Sequence, residues 1–70
     1  MSNTEVKRLL HEGYWIESTW YYSIVNTITN GTERIPLGMT MFRRLVKSNY
    51  VEHFDKRVEL YLVHCYRLKK

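Results

Sequence analysis

The apolar positions of this chain change period several times along its length. Val6, Leu9 and Leu10 recur at i, i+3 and i+4, one stripe of a short helix. Ser2, Asn3 and Thr4 precede them as N-cap residues, and Ser2-x-x-Glu5 has the form of a capping box. Gly13 suits the left-handed position that closes a helix. The pattern predicts a helix over residues 4–12. The period then shortens to two. Tyr14, Trp15 and Ile16 read as strand, and Glu17-Ser18-Thr19 as a turn. Residues 20–29 read as one long strand, with Trp20, Tyr22, Ile24 and Ile28 on one face and Asn26 interrupting them. Tyr21, Ser23, Val25, Thr27 and Thr29 take the other face. Asn30-Gly31 predicts a type I′ hairpin turn, in which both central residues need positive φ. The returning strand is placed at 32–35, ended by Pro36, which has no N–H to donate.

The helical period returns after Gly38. Met39, Phe42, Leu45 and Val46 form a buried stripe, with Arg43, Arg44 and Lys47 off it. Asn49 can take the left-handed stop. A second hairpin follows: residues 50–54 as one arm, Asp55-Lys56 as the turn and 57–68 as the other arm. In that last arm Val58, Leu60, Leu62 and Tyr66 share one face, and Tyr61, Val63 and Cys65 the other. A strand apolar on both faces is central in a sheet or covered by a partner. The expected fold is a single α+β domain over residues 1–70. Its element order is α-β-β-β-α-β-β, with both short helices on one face of a four- to five-stranded, mostly antiparallel sheet.

The chain also echoes itself at an offset of 36 residues: Thr4 falls on Thr40, Arg8 on Arg44, Leu9 on Leu45, Tyr14 on Tyr50 and Gly13 on Asn49. Two explanations stand. Any cap–helix–stop–strand unit has this pattern on physical grounds, or an αββ unit has been duplicated with pseudo-twofold symmetry.

Composition narrows the class. Apolar residues make up 44% of the chain and aromatics 14%, so the composition is globular rather than disordered. A single cysteine excludes an intrachain disulfide and argues against a secreted, disulfide-stapled scaffold. No apolar run approaches a membrane span, and the first residues lack a signal-peptide pattern; the expectation is a cytoplasmic protein with no membrane partner. The absence of Ala and Gln beside many Tyr, Ile, Asn and Lys hints at an AT-rich gene, such as that of a phage or mobile element.

Candidate chemistry is sparse. His64 and Cys65 are neighbours, but alternation in a strand points them to opposite faces, so no Cys–His pair is expected. His11, His53, His64 and Cys65 match no zinc spacing, so no metal site is expected. No glycine-rich phosphate loop is present, and Asp55, the one aspartate, suits a turn. Neither an enzyme nor a cofactor is expected.

The remaining signal is basic. The formal net charge is +4, enough to permit binding to a polyanion without requiring it. Arg43, Arg44 and Lys47 lie on the second helix, Lys7 and Arg8 on the first, and Arg57 and Arg67 in the last hairpin. Trp15, Trp20, Tyr21, Tyr22, Tyr61 and Tyr66 lie on strands between them. Bases stack on sheet aromatics while cations follow the phosphates, which is one way to hold a single strand. Against this, basic residues on a helix are usually a solvated face, and aromatics in a small sheet are usually core. Residues 42–52, followed by a basic hairpin, resemble the recognition helix and wing of winged-helix DNA-binding domains over residues 42–68. The resemblance implies that Arg43, Arg44 and Lys47 face DNA. That family has two further helices ahead of the recognition helix. This chain supplies one helix and the Asn30-Gly31 hairpin there, so it is not assigned to the family.

Two function classes result. One is a small accessory or regulatory protein that binds DNA or RNA through the seven basic residues named above. The other is a protein-binding module, either an inhibitor of a host protein or a homodimeric adaptor. It would use Trp20, Tyr21, Tyr61 and Val63, since aromatic residues and Arg dominate interface energetics. A homodimer fits both.

Overall fold

The computed structural model describes residues 2–20, 23–58 and 61–69, with the backbone alone for Trp20, Val58, Tyr61 and Leu62. Its elements run α1 (Asn3–His11), β1 (Trp15–Trp20), β2 (Ile24–Thr29), β3 (Arg34–Leu37), α2 (Met39–Lys47), β4 (Val51–Val58) and β5 (Tyr61–Leu68). All five strands form one sheet in the order β3-β2-β1-β5-β4, and every pairing is antiparallel. The α+β class and the element order are those expected from the sequence. No helix among the described residues is long and apolar enough to cross a membrane.

Local sequence explains both helices. Ser2 Oγ accepts the Glu5 N–H at 3.2 Å and caps α1. At its C-terminus, Gly13 N–H donates to Leu10 O and Tyr14 N–H to Leu9 O, with Gly13 at φ +100°. This is a Schellman stop. The second helix ends the same way: Asn49 N–H donates to Val46 O and Tyr50 N–H to Leu45 O, with Asn49 at φ +63°. The echo at offset 36 is not kept at the cap, where Gly38 of α2 makes no side-chain bond, but both bonds of the stop are reproduced through Tyr14 and Tyr50. It fails at the next residue. Val51, the counterpart of Trp15, packs in the core among the helices, whereas the strand register puts Trp15 on the opposite side of the sheet. A one-residue change of phase exchanges every side chain between faces. The strand order also excludes twofold symmetry between αββ units, because β2-β1 and β5-β4 follow each other in the same sense along the sheet.

Register divides the sheet into two faces. Ile16, Ile28, Ile35 and Tyr66 form one cross-strand row, since Ile16 opposes both Ile28 and Tyr66, and Ile28 opposes Ile35. Against this side pack Val6, Leu9 and Leu10 of α1 and Leu45 of α2, closing a core that includes Leu37 and Val51. Both helices thus lie on one face, as the periodicity predicts. Asn26 lies on the same side, in the next row, opposite Ser18 and Leu37. It is 4% exposed, and its Oδ1 has no hydrogen-bond partner among the described residues.

Several boundaries differ from the sequence reading. Residues 17–19 are not a turn: β1 continues through them, and Glu17, Ser18 and Thr19 pair with Thr27, Asn26 and Val25. The long strand expected over 20–29 is divided between β1, which ends at Trp20, and β2, which begins at Ile24; Tyr21 and Tyr22 lie outside the described residues. The Asn30-Gly31 turn is not type I′, because Gly31 but not Asn30 has positive φ. It is a longer loop in which Asn30 Oδ1 accepts the N–H groups of Thr32 and Glu33. Pro36 does not end β3 but lies within it, tolerated because β3 is an edge strand. Asp55-Lys56 is not the second turn, because β4 runs on to Val58, which pairs with Tyr61. Val46 is not buried but 41% exposed, just past the stripe formed by Phe42 and Leu45. The doubly apolar last strand, β5, lies inside the sheet between β1 and β4. Of its described apolar side chains Cys65 is buried and Val63, Tyr66 and Leu68 are half-buried; Leu60, one of the residues assigned to it, lies outside the described residues.

Candidate functional site

Alternation along the strands directs Trp15 and Glu17 of β1, Arg34 of β3, Phe54 and Lys56 of β4, and Cys65 and Arg67 of β5 to the face without helices. Among the described residues no further layer covers this face. Its side chains cover it themselves. Arg34 Nη1 meets Glu17 Oε1 at 2.9 Å, and Trp15 Nε1 donates to Glu17 Oε2 at 3.0 Å. The Lys56 ammonium lies 4.9 Å from the centroid of the Trp15 ring. Beside it, the Arg67 guanidinium sits 4.8 Å from the Phe54 ring and bonds Glu52 through Nε at 2.9 Å. Beneath this lattice Cys65 and Thr29 are fully buried and Glu17 nearly so. A shallow groove of about 390 Å³ borders it, lined in part by Trp15, Phe54, Arg67 and Leu68.

The lattice sets the ionisation of what it covers. Burial pushes the Glu17 carboxyl up, but the hydrogen bonds from Trp15 and Arg34 and the charges of Arg34 and Lys56 more than offset it. The net effect holds Glu17 below the ordinary glutamate value. Burial raises the Cys65 thiol, and the Glu17 carboxylate raises it further. A buried thiol held protonated is a poor nucleophile. His64 and Cys65 do face opposite sides, His64 exposed and Cys65 buried.

The basic residues singled out in the sequence do not form one patch. Arg43, Arg44 and Lys47 are exposed on α2, in the helical layer, and take part in no ion pair among the described residues. Lys7 is occupied over the Tyr50 ring at 4.7 Å, and Arg8 pairs with Glu12 one turn on. Arg57 is exposed in β4, on the helix side by register. Arg67 alone of the seven belongs to the helix-free face. Tyr66 packs edge-on against Phe42 beneath α2, so it offers no stacking surface there. The residues expected at a protein interface share one end of the sheet: Trp20 closes β1, Tyr61 opens β5 and Val63 follows it. Tyr21 lies outside the described residues.

Two groupings escaped the sequence reading. Arg34, Glu17 and Phe54 join Trp15 and Lys56 from three strands, β3, β1 and β4, a set that emerges only from strand order. On the helix side, the true length of β4 puts Asp55 opposite His64 and His53 one step along the same face. His53 Nε2, His64 Nδ1 and Asp55 Oδ1 converge there, a set of donors suited to a metal ion. Compared with known protein families, with curated proteins and with solved structures, the chain matches none.

Proposed function

We propose that this is a small accessory or regulatory protein that binds single-stranded nucleic acid on the helix-free face of its sheet. The observation that carries this reading is the pairing of two aromatic rings on that face with cations, Trp15 with Lys56 and Phe54 with Arg67, beside a groove that Trp15, Phe54 and Arg67 help to line. An exposed cation–π contact is worth about 0.5–1 kcal/mol. A base stacked on an aromatic side chain is worth about 1–3 kcal/mol. A base can therefore displace the cation from the ring, and the freed cation is left where a phosphate follows. Arg34 extends the basic side of the face across β3. The cations of α2, Arg43, Arg44 and Lys47, which have no ion pair among the described residues, lie in the other layer, so a strand held on the sheet does not reach them at the same time.

Measured binding of a labelled oligothymidine and of a duplex at about 50 and 200 mM salt tests this, because phosphate contacts release counterions and make affinity salt-dependent. Micromolar binding of the single strand that weakens steeply with salt, with weaker duplex binding, is expected. No binding at the lower salt overturns it.

A second reading has its own observation. Ile24 and Val25 are 49% and 45% exposed at the end of the sheet that also holds Trp20, Tyr61 and Val63. Being consecutive in β2 they point to opposite faces, so the exposed apolar surface is a rim at this end of the sheet, which suits a protein partner. Under this reading the partner is another protein, of the host or a second copy, and the chain makes no nucleic-acid contact. A molecular mass that rises with concentration and falls on Val25→Lys supports a second copy. Strand addition at the sheet edges is opposed in either case. Pro36 interrupts β3, and β4 carries Glu52, Asp55, Lys56 and Arg57 along the other edge.

A further inference from the structure

We propose that His53, Asp55 and His64 form a binding site for a divalent transition-metal ion such as Zn²⁺. The three ligand atoms form a nearly equilateral triangle: His53 Nε2 to His64 Nδ1 is 3.1 Å, His53 Nε2 to Asp55 Oδ1 is 3.1 Å and His64 Nδ1 to Asp55 Oδ1 is 3.4 Å. With metal–ligand bonds of about 2.1 Å, ligand atoms stand about 3.4 Å apart around a tetrahedral ion and about 3.0 Å apart around an octahedral one. The observed edges fall on this range.

Protons alone do not account for the triangle. If both ring nitrogens carry hydrogen, each can donate to the carboxylate, but the two N–H groups then oppose each other. If one carries hydrogen, the other nitrogen and the carboxylate face each other with lone pairs alone. Every tautomer leaves one of the three contacts unmet. A cation at the centre meets all three.

The scaffold also suits a metal. Asp55 and His64 are directly paired across the β4–β5 ladder, and His53 lies two residues from Asp55 on the same face. The ring of His53 is fixed against Tyr66, whose ring centroid is 5.2 Å away. All three side chains are open to solvent, between 43% and 58% exposed, so an ion can enter. Two imidazoles and a carboxylate suit zinc and its neighbours rather than calcium or magnesium. Three protein ligands leave at least one coordination position for water or for a donor from a partner. The site lies on the helix side of the sheet and is independent of the proposed nucleic-acid face.

The histidine ring resonances of the protein, titrated with Zn²⁺ and followed alongside calorimetry, test the site directly. His11 is the one other histidine in the chain and serves as an internal control, bonded to the Tyr50 hydroxyl at 2.9 Å. The expected result is one ion bound per chain at micromolar concentration, with the His53 and His64 resonances moving and His11 unchanged. Loss of an outer partner of a metal ligand typically weakens affinity by about 10–100-fold. His64→Ala and Asp55→Asn remove ligands themselves and are expected to lower affinity at least about tenfold. Both positions are exposed, and an unchanged circular dichroism spectrum confirms folding of each variant. The proposal is overturned by no binding at a hundredfold excess of Zn²⁺. It is equally overturned by a binding isotherm that His64→Ala and Asp55→Asn leave unchanged, or by movement of His11 with the other two rings.

Discussion

Glu17 shows how a single residue can hold a surface together. It stands in mid-strand, where an isolated carboxylate is unfavourable, and it is tolerated because Trp15 and Arg34 both bond it. Its folded-state pKa is lowered, so folding favours the ionised form. The stabilisation is fully present above the ordinary glutamate value of 4.5 and is lost as pH falls through the lower folded value. The Arg34 side chain is 61% exposed, so solvent screens the pair, and pairs of this kind contribute about 0.2–1 kcal/mol. Glu17→Gln is therefore expected to lower the melting temperature at pH 7 by about 1–8 °C, at about 4–8 °C per kcal/mol for a domain of this size. The gap to the parent should be smaller at a pH below the ordinary value of 4.5 than at pH 7, because the parent carboxyl takes up a proton as pH falls through its lowered folded value. A gap that is the same at both pH values contradicts the charge pairing.

At the scale of elements, the helices are defined by their stops. Gly13 sits at φ +100°, and a Cβ added there meets nothing within 4 Å. The cost of Gly13→Ala is therefore confined to the backbone, about 1–2 kcal/mol for a left-handed residue carrying a Cβ. A fall in melting temperature of about 4–16 °C is expected from thermal denaturation. An unchanged value would mean that the Schellman stop is dispensable. These helices were legible in the sequence because everything that defines them is local: an apolar stripe and a residue tolerant of positive φ in both, and a serine cap on α1. The strands were legible as strands but not in their limits. Glu17-Ser18-Thr19 and Asp55-Lys56 have turn composition, and what keeps each in a strand is a distant partner that no local window contains. Strand pairing that continues through 55–56 as far as Val58 and Tyr61 resets the register of the whole hairpin. That register alone brings His53, Asp55 and His64 together, which is why a chain without a zinc spacing concealed a cluster of donors suited to a metal ion.

For the whole molecule, the sheet separates two surfaces that sequence merges into one basic character. The helical layer presents Arg43, Arg44 and Lys47; the bare layer presents Trp15, Phe54, Lys56, Arg67 and Arg34. The winged-helix likeness of residues 42–68 does not extend to the fold, since a three-stranded stretch of sheet and one helix precede α2. The charge of the chain was visible from composition, but its division between faces depends on which strands lie side by side. The proposed function assigns binding to the bare layer. The most direct test compares oligothymidine affinity of Trp15→Ala with that of the double variant Arg43→Ala/Arg44→Ala at low salt. Loss of one stacked base is worth about 1–3 kcal/mol, so Trp15→Ala is expected to weaken binding by about 5–150-fold. The double variant removes charge from the opposite layer and should stay within about threefold of the parent, since contacts this remote act independently. Binding that survives Trp15→Ala but collapses in the double variant would place the site on α2 and contradict the proposal.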